Sequence, residues 1–468
     1  MRYDLVVIGG GPAGEKAAAA AAYFGRRVAL VEVSPEGPGG AMVHTGTLPS
    51  KTLREAALYL MGFRRRELYK SIAQSFDREQ GSLQTLMSRM SHVDERQTAQ
   101  ITENIERHGI DLFAGRGVIK DAQTVLVGEH ALETDFILLS TGSSPRQPDC
   151  FDFSDPDVYD SDTFLRIDQL PESLAVIGGG VIGSEYACVF DTLGVKIQII
   201  ESRPRLLSFL DEEISDHLMD AMRASGIELL LDNGVERLER YDGQLRLTLK
   251  DGRQMTVDKA LVSAGRTGNT AGLGLQEVGV ALDSRGQIIV DAQFRTSVSN
   301  IFAAGDVIGR PALASSSMEQ GRAAVAAMFG EHTACPDWDT LASGIYTIPE
   351  AASAGPTEQT LREEGVPYVV GRSHMRHNAR GQVIGDVDGF IKLLFHRDDH
   401  RLLGVHVICE QATELVHIGQ AVMRLGGGIS YFLETLFTYP SLSMAYKYAA
   451  YDALGALEQP ATRPVPLS

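Results

Sequence analysis

The chain opens on YDLVVIGGGPAGEKAA (residues 3–18), and the pattern returns as LAVIGGGVIGSEYA (residues 174–187). Each copy passes from a short apolar, β-branched run through three glycines into an alanine-containing segment suited to a helix, which reads as strand, tight turn, helix. Such self-similarity predicts two copies of one nucleotide-binding unit. In the first copy Gly9, Gly11 and Gly14 fall at the G-x-G-x-x-G places. There glycine serves the turn, the close approach of a pyrophosphate, and the packing of helix on strand. The helix N-terminus then faces the phosphates. The next apolar run, RRVALVE (26–32), ends in Glu32, whose carboxylate is placed to accept hydrogen bonds from the hydroxyls of an unphosphorylated ribose. The second copy repeats this with Gly178, Gly180 and Gly183 and the run VKIQIIE (195–201), which ends in Glu201. One fingerprint is a weak signal; two, each followed by a strand-terminal glutamate, predict two dinucleotide sites.

Working outward, the 468 residues leave room for about three domains. The 61 acidic residues outnumber the 43 basic ones, for a formal net charge of −18, which repels phosphate backbones and excludes nucleic acid as a partner. The N-terminus lacks a basic region, apolar core and cleavage site, and no run of about 18 apolar residues occurs, so a soluble, cytoplasmic protein with no membrane partner is expected. The four cysteines, Cys150, Cys188, Cys335 and Cys409, are far apart. They predict neither a disulfide scaffold nor a metal site.

The segments GVIKDAQTVLVGEHALETDFILLSTG and LRLTLKDGRQMTVDKALVSAG read as strands joined by polar turns, the second through the Asp251-Gly252 pair, and are expected as antiparallel additions to the parallel sheets. From about residue 340 strands (FIKLLFH, LLGVHVI) are followed by helices (ATELVHIGQAVMRL, SMAYKYAAYDAL), an α+β arrangement without a third glycine fingerprint. The fold class expected is α/β: two Rossmann-like dinucleotide-binding domains plus a C-terminal α+β domain.

Further motifs follow in order along nearly the whole chain: STGSSP (140–145), SAGRTGN (263–269) and TSVSNIFAAGDVIG (296–309). With them the sequence resembles the two-dinucleotide-fold flavoproteins that include lipoamide dehydrogenase and glutathione reductase. The resemblance implies FAD at the first fingerprint and NAD(P) at the second. It assigns residues 1–150 and 266–335 to the FAD domain, 151–265 to the NAD(P) domain and 340–468 to a dimerisation domain that completes the partner's flavin site in a homodimer. It implies that Asp306, delivered by the strand IFAA, meets the flavin's ribityl or pyrophosphate side, and that Leu313 and Ala314 edge the helix beneath the flavin. It adds Gly39, Gly40, Thr45, Gly46, Gly117, Thr141, Gly142 and Gly265 to the cofactor contacts. Lys51 is implied beside the flavin N5, paired with Glu185.

Two departures stand against that pattern. Where the family's disulfide reductases carry their redox cysteines, this chain has Met42 and Thr47, and neither a thioether nor a threonine hydroxyl cycles between thiol and disulfide. Where they carry a His-Pro motif and a downstream Glu, it has Tyr439 and Met444, neither suited to shuttle protons at neutral pH. The chemistry left is hydride transfer between nicotinamide and flavin. HTGTLPSKTLREA, SRPRLLSFLDEE, IYTIPEAASAG and GVHVICEQATELVHIGQAVM resemble one branch of the family, the soluble transhydrogenases that pass hydride between NADPH and NAD through FAD. Glu201 would repel the 2′-phosphate of NADPH, while Arg203 and Arg205 could bind it if Glu201 swings aside. An NADH oxidase or NADH:quinone reductase, using oxygen or a quinone, is the alternative; a non-catalytic flavin or nucleotide sensor is the third. His44, between Met42 and Thr47, is a candidate proton relay or quinone contact.

Overall fold

Strand β1 (Arg2–Ile8) is apolar from Leu5 to Ile8 because, in the computed structural model, that stretch is covered on both faces, as parallel strands are. The model describes residues 2–61, 83–309, 311–331 and 337–458; Cys335 lies outside them. The described residues form two units, 2–56, 83–170, 261–309 and 311–331 in one and 57–61, 171–260 and 337–458 in the other.

In the first unit β1 pairs in parallel with β2 (Val28–Glu32) and with β6 (His130–Leu139), Val7 lying opposite Leu30 and Leu138. The sheet order is β3-β2-β1-β6-β5-β4, where β3 is Asp111–Ala114, β4 Gly117–Asp121 and β5 Thr124–Val127, and the strand Ile301–Ala303 adds in parallel to β6. Side chains alternate across the sheet. Leu5 and Val7 pack under helix α1 (Pro12–Tyr23) and the helix Ala314–Phe329, whereas Val6 and Ile8 pack with Leu273, Leu275 and Ile288 on the other face. The alanines of α1 let the two helices approach so closely that a Cβ at Gly321 would collide with the Ala13 carbonyl.

The second unit repeats the parallel core. Its strands run Glu228–Leu230, Lys196–Ile200, Ser173–Ile177, Lys259–Val262 across the sheet, with Ile199 opposite Val176. The C-terminal part is an antiparallel five-stranded sheet, Ser343–Ile345 to Glu350–Ala354 to Leu402–Cys409 to Phe390–His396 to Tyr368–His374, backed by the helices Ala412–Arg424, Ile429–Glu434 and Met444–Glu458. This is the α+β arrangement expected from the order of patterns.

Of the two polar-turn segments, the first does extend its parallel sheet, as β4, β5 and β6. The second does so only through its last strand, Lys259–Val262: Gln244–Leu249 and Gln254–Val257 pair with Val235–Tyr241 in a separate three-stranded sheet. The reason lies in the alternation of QLRLTL, where Leu245, Leu247 and Leu249 are buried and the residues between are not. One apolar face suits a layer laid against the core. A strand continuing the parallel sheet needs two, as Lys259–Val262 has after its first residue.

Candidate functional site

The first site gathers at the C-terminal end of β1. Gly9 turns at φ +106°, a conformation side chains resist, and a Cβ at Gly14 would strike the Gly9 carbonyl. Helix α1 starts from Gly11 with Pro12 in its first turn and no side-chain cap, so its first N–H groups are left for an anionic ligand. Glu32, at the end of β2 and nearly buried, accepts from the Gly10 amide through Oε2 and from the Ser34 amide through Oε1, both at 2.7 Å. Gly39 donates from its amide to the Gly10 carbonyl (2.9 Å). Gly40, at φ +57°, would drive a Cβ into Gly11. The phosphate turn and the start of helix α2 (Gly40–His44) are therefore one packed structure.

Thr45 follows α2 and Gly46 precedes helix α3 (Thr47–Met61), whose Ser50 amide donates to the Gly46 carbonyl. Met42 is half-buried and Thr47 exposed; Lys51 donates to Ser50 Oγ at 3.3 Å. His44 is nearly buried. Its Nδ1 faces Asp94 Oδ1 at 2.9 Å and its Nε2 the Gly37 carbonyl at 3.2 Å.

Asp306 follows Gly305, whose amide donates to the buried Gln320 (2.8 Å). Asp306 Oδ2 accepts from Ser143 Oγ (3.0 Å), and Ser143 is held in turn by Arg266 through its Oγ (2.9 Å) and carbonyl (2.7 Å). Thr141 donates to the Asn269 carbonyl at 2.7 Å, and Gly142, at φ +70°, accepts from the Asn269 amide. Gly265, at φ +98°, accepts from the Arg146 amide. Leu313 and Ala314 form the start of the helix Ala314–Phe329. Gly117 sits at the head of β4 with its Cβ direction packed on Ile8 and Val31. Ser143 belongs to the motif STGSSP and Arg266 to SAGRTGN, but neither motif alone marks them as partners.

The second site is a copy with one addition. Gly178 turns at φ +107°, the helix Val181–Thr192 starts uncapped from Gly180 and carries Gly183 buried in its first turn, and a Cβ at Gly180 would meet nothing within 4 Å. The space beside Gly180 at this helix start is thus open. Glu201, only 4 % exposed, accepts from the Gly179 amide (2.7 Å) and the Arg203 amide (3.0 Å), just as Glu32 accepts from Gly10 and Ser34. The addition is the Arg203 guanidinium, which lies bidentately on Glu201 (Nε to Oε1 3.0 Å, Nη2 to Oε2 3.1 Å). Burial pushes the Glu201 carboxyl up, but the hydrogen bonds from Arg203 and Gly179 outweigh it and hold the group below the usual carboxylate range. Arg205 is committed elsewhere, bidentate to Asp216 (2.7 and 3.0 Å) and bonded to Glu212. Sequence alone leaves the two arginines equivalent; the structure separates them.

Glu185, buried on the same helix, accepts from the Tyr346 amide at 2.9 Å. Lys51 lies in the first unit and Glu185 in the second. Tyr439, between the last two helices, is 71 % exposed. Among the described residues no cluster of His, Cys, Asp and Glu could hold a metal ion, and no helix is long and apolar enough to cross a membrane.

These features fit an FAD at the first site and a nicotinamide dinucleotide at the second: glycine turns that a Cβ would fill, uncapped helix starts, and strand-end carboxylates. A family model described as pyridine nucleotide-disulphide oxidoreductase matches residues 3–321, and that of the family's dimerisation domain matches residues 341–450. The soluble pyridine nucleotide transhydrogenase of Marinomonas sp. (strain MWYL1) is 42% identical over 459 residues, 96% of this chain and 97% of that protein. That of Pseudomonas putida (strain W619) is 42% identical over 466 residues, 97% of this chain and 99% of its own. Among solved structures, the HOCl-induced flavoprotein disulfide reductase RclA from Escherichia coli superimposes with a TM-score of 0.87 at 28% identity, covering 96% of this chain and 99% of its own.

Proposed function

Since the chain belongs to the pyridine nucleotide-disulphide oxidoreductase family, we propose that it is an FAD-dependent transhydrogenase passing hydride from NADPH or NADH to a second, oxidised nicotinamide dinucleotide. The observation that carries this is the pairing of two intact dinucleotide sites with the loss of both redox cysteines, replaced by Met42 and Thr47. Such a protein exchanges electrons between nucleotides and has no dithiol to pass them to.

Bound FAD supplies a centre that accepts hydride from one nicotinamide and returns it to another. The residues supply the rest. Gly9, Gly11 and Gly14 admit the FAD pyrophosphate to the start of α1, with Gly39, Gly40, Thr45 and Gly46 lining the facing segment, and Glu32 takes the adenosine ribose. Asp306, aimed by Ser143 and Arg266, takes the ribityl side. Thr141, Gly142, Gly265, Gly117, Leu313 and Ala314 line the remainder. Gly178, Gly180 and Gly183 admit the nicotinamide dinucleotide. Lys51 serves the flavin and Glu185 the nicotinamide, the Tyr346 amide fixing the Glu185 carboxylate. Residues 1–150 and 266–335 serve FAD, 151–265 serve NAD(P), and 340–468 pair two copies into a homodimer, placing Tyr439 at the partner's flavin. The protein acts in the cytoplasm.

Glu201 and Arg203 decide the choice of nucleotide. With a ribose hydroxyl, Glu201 is the acceptor; with a 2′-phosphate, Arg203 turns from Glu201 to the phosphate, and Arg205 stays with Asp216. Anaerobic mixing tests the function: NADPH and NADH should each reduce the flavin, and the reduced protein should then reduce thio-NAD. No thio-NAD reduction above background would refute it. The buried Glu201 carboxylate also favours a second reading, NADH oxidation with a quinone or oxygen as acceptor. Reduction by NADH alone, with rapid turnover on menadione or oxygen, would select that reading.

A further inference from the structure

Helix α2 is five residues long, starts from Gly39 without a side-chain cap, and is too short to be stable by itself. Its start rests on the phosphate turn through Gly39 and Gly40. With Met42 and Thr47 in place of cysteines, no disulfide ties it forward to α3. What holds its other end is His44, whose ring reaches helix α4 (Leu83–Arg107) at Asp94, fifty residues on, and reaches back to the Gly37 carbonyl. Asp94 also accepts from Thr98 Oγ1 (3.3 Å), and Gly37 packs on the same face of α4, where a Cβ would stand 3.2 Å from the Thr98 methyl. Both ring nitrogens are thus engaged, Nδ1 with the carboxylate and Nε2 with the carbonyl. Neither nitrogen is left to meet a substrate.

We propose that His44 is a positioning residue: with Asp94 it forms a noncovalent clasp that holds residues 37–47 against α4 and so fixes the segment facing the flavin, the place where the family's disulfide reductases carry a covalent bond. This rests on the first site holding FAD and is independent of which nicotinamide, quinone or oxygen accepts the electrons. It replaces the proton-relay role with an architectural one, because a relay needs a ring nitrogen open to the reacting molecule.

The test measures FAD affinity by reconstitution of apoprotein, together with the visible circular dichroism of the bound flavin, neither of which needs turnover. His44→Ala and Asp94→Ala should each weaken FAD roughly tenfold, the worth of one charge-assisted hydrogen bond, and should alter the flavin dichroism in the same way. The double variant should be no weaker than either single one. His44→Asn, whose amide nitrogen stands near the place of Nδ1, should recover most of the affinity; His44→Gln, which reaches toward Gly37 instead, should not. In the holoprotein the His44 variants should slow flavin reduction at saturating NADH without changing the NADH concentration for half-saturation. Should His44→Ala fail to fold, His44→Asn against His44→Gln carries the same contrast. Unchanged affinity and dichroism in both alanine variants would overturn the clasp, as would additive losses in the double variant or equal behaviour of Asn and Gln. Loss of transhydrogenation with intact FAD binding would count against the proposed function and leave the clasp standing.

Discussion

Replacing Arg203 by alanine should weaken the binding of a 2′-phosphorylated nucleotide about 20-fold and leave the unphosphorylated one within about threefold. The magnitude follows from what the guanidinium leaves and what it gains. Its present partner is Glu201, at 3.0 and 3.1 Å, but the Arg203 side chain is 49 % exposed. An ion pair so open to solvent contributes only about 0–1 kcal/mol. A bidentate contact to a phosphate in charge-assisted hydrogen bonds contributes roughly 1.5–3 kcal/mol. The difference, about 0.5–3 kcal/mol and about 1.75 kcal/mol at its midpoint, gives the factor stated. Losing Arg203 also leaves the ionised Glu201 facing the phosphate, which acts in the same direction. The assay is calorimetric titration of FAD-loaded protein with 2′,5′-ADP and with 5′-AMP, which report the subsite without redox chemistry. Arg205→Ala is the control, because Arg205 is held by Asp216 and Glu212; it should leave the ratio of the two affinities unchanged. Equal weakening of both ligands by Arg203→Ala, or no change for 2′,5′-ADP, would refute the reasoning.

Gly180→Ala should fold with stability close to the parent, since its Cβ meets nothing within 4 Å, yet lose more than about tenfold in nicotinamide dinucleotide affinity because the methyl occupies the pyrophosphate approach; Gly14→Ala, blocked by the Gly9 carbonyl, should instead fail to retain FAD. Thermal melts and nucleotide titrations separate the two. Lys392, almost fully buried, lies 2.8 Å from Asp211, 3.1 Å from Glu213 and 2.6 Å from Glu358. Lys392→Met leaves those carboxylates short of their cation and should cost about 3–5 kcal/mol at pH 7. Burial pushes the three carboxyls up, but their cationic neighbours outweigh it and hold them below the usual range. Their stabilisation is thus present above about pH 5 and is lost as pH falls through the depressed values, so the gap between parent and variant in urea unfolding should narrow on acidification. A gap that widens would contradict this. Finally, denatured protein should show the same number of reactive thiols before and after reduction by NADH, because no dithiol sits at residues 42 and 47. In the native protein the exposed Cys150 should react, while Cys188 and Cys409 should not, both being buried, with burial pushing the Cys409 thiol up. New thiols after NADH would refute it.

By itself the sequence determined whatever depends on a residue and its near neighbours. The glycine spacings of 9–14 and 178–183 name two candidate phosphate turns because Gly9 and Gly178 turn at positive φ and Gly14 has no room for a Cβ, while a side chain at Gly11 or Gly180 would stand where a pyrophosphate approaches. Glu32 and Glu201 are legible as candidate ribose acceptors because a strand ends there, and Met42 and Thr47 rule out a dithiol by their chemistry alone. The tertiary structure decided partnerships between residues far apart, which no local pattern encodes. It set Arg203 on Glu201 and Arg205 on Asp216, joined His44 to Asp94 across fifty residues, aimed Asp306 through Ser143 and Arg266, and detached the three-stranded sheet from the parallel one. The physical reason is that backbone conformation answers to local sterics and hydrogen bonding. A charged or polar side chain instead answers to whichever partner packing brings within about 3 Å, and that is settled only when the chain has folded.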